Sequence, residues 1–175
     1  VSWYIKELLP CELHYAHRKD RLQAQACDTL VLLLGYSIEP LLQATAFYNP
    51  RQVLLLHSDE YRSGANWPSR AQRWIAKLAP VNANRDRRDP FIVLMPLESD
   101  PSSVFKTLCD ELLPADKDRG RVVVDITGGK KSMVGNAFGF AAYAHKPISY
   151  VDILDHKELE DGRLRPLGYM CKIES

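Results

Sequence analysis

The feature that most constrains this chain is a series of short, unbroken apolar runs, each separated from the next by a helix-sized segment. Leu-Val-Leu-Leu-Leu at 30–34 carries no polar residue and is closed by Gly35. A run that is apolar at every position suits a strand buried on both faces, whereas a strand with one wet face alternates. Further strands are predicted at 52–57, 91–95, 121–125 and 148–153. Helices are predicted between them, over 38–48, 69–79, 101–113 and 130–145, each with apolar residues at helical spacing. Ser37 is placed to cap the first helix, Pro40 falls in its first turn, and Asn49-Pro50 stops it. Strands alternating with helices give parallel pairs joined by right-handed crossovers. The expected architecture is a Rossmann-like, doubly wound, mainly parallel α/β sheet of order 3-2-1-4-5. A turn signal at 160–163 followed by 169–173 adds a C-terminal β-hairpin at the sheet edge.

The 175 residues suffice for one such domain, read as 28–175, behind a polar lead-in at 1–27 whose segment 11–26 is expected to be helical. Polar loops are expected at 57–68 and 80–90. The formal net charge is only +1, so any anion site must be local, and no general affinity for DNA or long RNA is expected. The four cysteines form no Cys-x-x-Cys pair, which argues against a metal site and a disulfide framework and fits a cytoplasmic protein. Trp3, Tyr4 and Lys6 stand at the very start of a chain that opens on Val1. They fit either an amphipathic helix or the water edge of a membrane segment upstream, tethering the domain to the cytosolic face of the inner membrane.

In a doubly wound sheet, ligands sit at the carboxyl ends of the strands where the strand order reverses. With this order, the turns after the first and fourth strands face one crevice. The second of these reads Thr127, Gly128, Gly129, Lys130, Lys131, Ser132, Met133 and looks made for an anion. Two glycines permit positive φ and close approach of backbone amides. A helix opens there, and lysines and hydroxyls add donors. The first turn, Gly35, Tyr36, Ser37, Ile38, offers a ring to stack on a base and a hydroxyl that caps the helix, bonds a phosphate, or does both. Gly-x-Gly-x-x-Gly is absent and so is Gly-x-x-x-x-Gly-Lys-Ser/Thr, which removes most support for dinucleotide chemistry and P-loop hydrolysis. Ser58 and Asp59 end the second strand, where an acid often meets a ribose hydroxyl, or where a hydrophilic loop simply leaves the sheet. Trp67 is either a base platform or loop packing. The fourth helix carries Gly135 and Gly139, small residues suited to close approach to the sheet and to a partner subunit. The histidines form no catalytic set, and no cofactor is expected.

The segment Asp125-Ile-Thr-Gly-Gly-Lys-Lys-Ser-Met133 after an apolar strand resembles the second signature of CARF domains, the CRISPR-associated Rossmann-fold sensors. The turn from Gly35 to Pro40 resembles their first ligand loop, and the likeness spans about residues 28–153. A familiar family variant has Thr where Lys130 stands. The resemblance implies a two-fold homodimer that binds a cyclic oligoadenylate across its interface, cyclic tetra-adenylate being favoured over hexa-adenylate. It implies a ligand made by type III CRISPR complexes during antiviral defence, and an attached effector that the ligand switches. Some members cleave their own ligand as ring nucleases, but no general base is evident here, so binding without catalysis is the expectation. The other readings are such a ring nuclease and a nucleotide-binding regulatory module outside CRISPR defence.

Overall fold

A computed structural model of the chain describes residues 27–58, 67–78, 91–97, 103–114, 119–158 and 164–174. Residues 1–26 of the lead-in, most of the two polar loops, Asp59 and the turn expected at 160–163 lie outside these residues. Strand β1 (Thr29–Leu33) is buried at every position, as its composition demands. It pairs in parallel with β2 (Gln52–Ser58) on one side and β4 (Val122–Asp125) on the other. Strand β3 (Phe91–Leu97) extends the sheet beyond β2, and β5 (Ile148–Glu158) extends it beyond β4, both in parallel. These five strands have the expected order 3-2-1-4-5. Strand β6 (Leu164–Glu174) lies antiparallel to β5, in a register that shifts between Ile153 and His156.

Helices α1 (Glu39–Tyr48) and α2 (Trp67–Leu78) cover one face of the sheet. Helices α3 (Ser103–Leu112) and α4 (Lys131–Tyr143) cover the other. The parity of β1 records this division. Leu30, Leu32 and Leu34 pack with Leu41, Tyr48 and Ile75, whereas Val31 and Leu33 pack with Leu108, Met133 and Phe140. Right-handed crossovers force the arrangement: the chain moves outward from β1 to β3, then crosses β1 to reach β4, so the later helices fall on the opposite face. The order of winding therefore reverses between β1 and β4, while the two strands stay parallel.

At the amino ends of these two strands, register is fixed by polar contacts. Thr29 Oγ1 donates to the Arg119 carbonyl (2.8 Å), and the Arg121 amide donates to Asp28 Oδ2 (2.9 Å). Their carboxyl ends are left to the site. Cys27 is buried, and desolvation pushes its thiol up to about 12, which keeps it protonated.

Two expectations about the helices need correction. Ser37 is not the cap of α1; the cap position belongs to Ile38, in a helical conformation and without a side-chain cap bond. The chain enters α1 one residue later than the Ser37 signal suggested, with Pro40 fixing the first turn. Asn49 ends the helix in the left-handed region (φ 43°), as the Asn-Pro pair implied. The two glycines of α4, in turn, do not serve packing on the sheet, a part that falls to the buried Ala137 and Ala141. A methyl on Gly135 would meet nothing within 4 Å, and one on Gly139 would meet only a ring carbon of Phe105 in α3, at 4.0 Å. Among the described residues, no helix is long and apolar enough to cross a membrane.

Candidate ligand-binding crevice

The two turns predicted to share a crevice touch each other. A methyl built on Gly35, after β1, would stand 3.0 Å from the amide nitrogen of Gly129, after β4. Residues far apart in sequence therefore line one site through their backbones. The two glycines of the second turn have different reasons to be there. Gly129 has φ of +82°, a conformation that side chains rarely adopt, and a methyl on it would come within 2.9 Å of Leu33 Cβ. Gly128 has no positive φ; there a methyl would strike the carbonyl oxygen of Leu33. The turn thus lies directly over the end of β1, at a height that only glycine permits.

Beyond it, Lys130 is the cap residue of α4, in extended conformation and with no side-chain cap bond. The first helical bond runs from the Val134 amide to the Lys130 carbonyl (3.0 Å), so the amides of Lys131, Ser132 and Met133 have no partner within the helix. No acid stands in the first turn of α4, whereas Glu39 occupies that of α1. Of the two helix ends at the crevice, α4 is therefore the one whose positive dipole is not offset from within its own first turn. Lys130, Lys131 and Ser132 are exposed, and Met133 is buried beneath them. Tyr36 is 84% exposed, Ser37 is exposed, and Ile38 is buried as an anchor of the first turn.

At the root of the second turn stands Asp125, the last residue of β4 and wholly buried. Its carboxylate accepts from the Thr127 amide (3.1 Å), from the Ser149 hydroxyl (2.8 Å) and from the Thr127 hydroxyl. Burial pushes its pKa up to about 6, against the lowering effect of these bonds. The Thr127 hydroxyl also accepts from the Val151 amide (2.7 Å). Thr127 was expected to offer its hydroxyl to a ligand; here both its amide and its hydroxyl point into the protein.

Ser58 closes β2 at the same end of the sheet, one strand from β1, and its buried Oγ has no hydrogen-bond partner among the described residues. Trp67, read from the sequence as a base platform or as packing, makes several contacts within the protein. It opens α2, and its indole N–H donates to the Gly35 carbonyl (2.9 Å). Its ring packs edge-on against Trp74 (5.7 Å), with the Arg70 guanidinium 5.9 Å from the Trp67 ring and 5.4 Å from that of Trp74. Neither Trp67 nor Asp125 was counted among the site residues by sequence reasoning. An acid closing a buried strand was the available signal for Asp125; Trp67 was weighed as a base platform or loop packing, but nothing local signalled its bond to Gly35.

No family model matches the chain, and no curated protein does. Solved structures do. Can2 from Sulfobacillus thermosulfidooxidans, in complex with cyclic tetra-adenylate, is similar at a TM-score of 0.56 and 25% identity, over 81% of this chain and 37% of its own. Csm6 from Enterococcus italicus, bound to cyclic hexa-2'-fluoro-hexa-dAMP, shares the fold at a TM-score of 0.53 and 13% identity, over 73% of this chain and 34% of its own. The chain thus spans little more than a third of the length of either.

Proposed function

We propose that this chain, a CARF domain by its fold and its second ligand turn, binds a cyclic oligoadenylate in the crevice between the turns after β1 and β4. The observation that carries the reading is the backbone contact between Gly35 and Gly129, which joins a turn bearing an exposed aromatic ring to one bearing helix-end amides and two lysines. Phosphates belong on the second turn, where amides, dipole and cations act together. A base belongs on Tyr36. The likeness to Can2, solved with cyclic tetra-adenylate, favours the tetra-adenylate ring.

A ring of repeated nucleotides calls for the same turn twice, which a two-fold dimer supplies. The exposed side of α4 supports such a pairing: Gly135 and Ala142 leave the backbone open to approach, beside Phe138 (48% exposed) and Tyr143 (66% exposed). The reading is of a sensor that switches an attached effector in type III CRISPR defence, without cleaving its ligand. The side chains that the second turn exposes are donors, and the Asp125 carboxylate at its root is buried and already bonded.

Calorimetric titration with cyclic tri-, tetra- and hexa-adenylate tests the reading, with tightest binding expected for tetra-adenylate. Absence of binding to all three overturns it. Sedimentation velocity with and without tetra-adenylate tests the dimer, and a monomer in both states refutes it. Linear products from labelled ligand under single-turnover conditions would replace the sensor by a nuclease.

A further inference from the structure

The bonds around Asp125 form a continuous chain. Ser149 Oγ donates to Asp125 Oδ2, the other carboxylate oxygen holds the Thr127 amide, and the Thr127 hydroxyl holds the Val151 amide. Strand β4 leaves the sheet within this chain. The Ile126 amide still donates to the Ser149 carbonyl (2.9 Å), as a parallel ladder requires. The next rung would join the Val151 amide to the Ile126 carbonyl. The Thr127 hydroxyl takes that rung instead. A side chain thus completes the ladder at the point where the backbone bends away toward Gly128 and Gly129. Asp125 and Ser149 are both fully buried, so neither is placed to meet a ligand directly.

We infer that Asp125, Thr127 and Ser149 are positioning residues, a latch between β4 and β5 that sets where the Gly128, Gly129 and Lys130 backbone stands. On this inference, which rests on the ligand reading above, Thr127 works through the turn and not as a phosphate donor. An anion site made of amides depends on their direction, and a turn bonded at only one end leaves that direction loose. The latch bonds the turn to β5, while the close approach of Gly128 to Leu33 seats it on β1.

The test uses Thr127→Ser, which keeps the hydroxyl, Thr127→Val, which keeps the shape and removes it, and Ser149→Ala, which breaks the latch out of any ligand's reach. Amide hydrogen exchange at Thr127 and Val151 in the free protein reads the latch itself. Titration with cyclic tetra-adenylate, at a temperature where every variant is fully folded, reads its consequence. Thr127→Val and Ser149→Ala are expected to speed exchange at these amides and to weaken binding, by about tenfold for the first, a loss on the scale of one or two hydrogen bonds. Thr127→Ser is expected to match the parent in both. Parent-like exchange and affinity in Ser149→Ala overturn the inference. So does a loss of binding in Thr127→Val without faster exchange, which would make the hydroxyl a direct ligand contact. A parent that ignores tetra-adenylate refutes the ligand reading alone, and the exchange rates still judge the latch.

Discussion

The indole N–H of Trp67 donates to the carbonyl oxygen of Gly35, tying the start of α2 to the first turn of the crevice. The same glycine abuts Gly129, so one residue is held by a side chain on one flank and by backbone on the other. Trp67→Phe keeps the ring among Trp74 and Arg70 and removes only the donor. It is expected to cost about 1 kcal/mol of stability, the net worth of one partly buried hydrogen bond. It is also expected to weaken cyclic tetra-adenylate binding several-fold. Urea denaturation and calorimetry measure the two, and unchanged affinity would mean that the first turn holds its place without the indole.

The glycines of the crevice should rank by what a methyl would strike. Gly128→Ala is expected to be the most damaging, because backbone oxygen of Leu33 stands in the way and cannot rotate aside. Gly129→Ala adds the strain of a left-handed φ, about 1–2 kcal/mol, to a tight contact with Leu33 Cβ. Gly35→Ala, at 3.0 Å from the Gly129 nitrogen, should be the mildest of the three. Thermal melts of the three variants check the order.

Lys131 is exposed at the first position of α4, where a cation opposes the helix dipole. Lys131→Ala should leave the free protein as stable as before, or more stable by a few tenths of a kcal/mol. Its affinity for tetra-adenylate should fall by about 1.5–3 kcal/mol, the scale of one charge-assisted contact, and further if a dimer counts it twice. Binding by the parent should weaken steeply with added salt. Affinity unmoved by either change would make the lysine solvent decoration.

Asp125 makes stability depend on pH with a definite sign. Its pKa rises from 3.8 to about 6 in the folded protein, so between these values the native state holds a proton that the unfolded chain has lost. The native state therefore loses stability as pH rises through that window, by up to about 3 kcal/mol for a shift of this size. Asp125→Asn removes the titration. The difference in unfolding free energy between parent and variant should move against the parent from pH 4 to pH 7, and a constant difference would show the carboxyl to be ionised throughout.

Much of the fold is legible because β1 is apolar on both of its faces, a composition that suits a strand covered on both sides, and helix-sized segments alternate with it and its neighbours. The two turns follow from the strand order. What escaped reading depends on partners across space. Ser37 carries the local mark of a cap, yet it is exposed and Ile38 takes the position, because the entry angle from β1 and Pro40 decide where α1 begins. The bond from Trp67 to Gly35 links two elements through a loop whose path no residue pattern states. Asp125 reads as part of a turn motif. Its partner Ser149 sits on a neighbouring strand, and pairing, not sequence distance, brings them together. The glycine pair was expected to serve positive φ and close backbone approach together; the structure divides the two, positive φ falling to Gly129 alone and Gly128 standing against the Leu33 carbonyl.

The contact between Gly35 and Gly129 is made by backbone alone, and this separates alignment from readout. Tyr36, Ser37, Lys130 and Lys131 are the exposed neighbours of that junction. On the proposed ligand reading, substitutions at these four positions are expected to retune ring size or charge preference while the junction stays as it is. A lineage descended from such a chain is free to change its messenger without rebuilding its receiver.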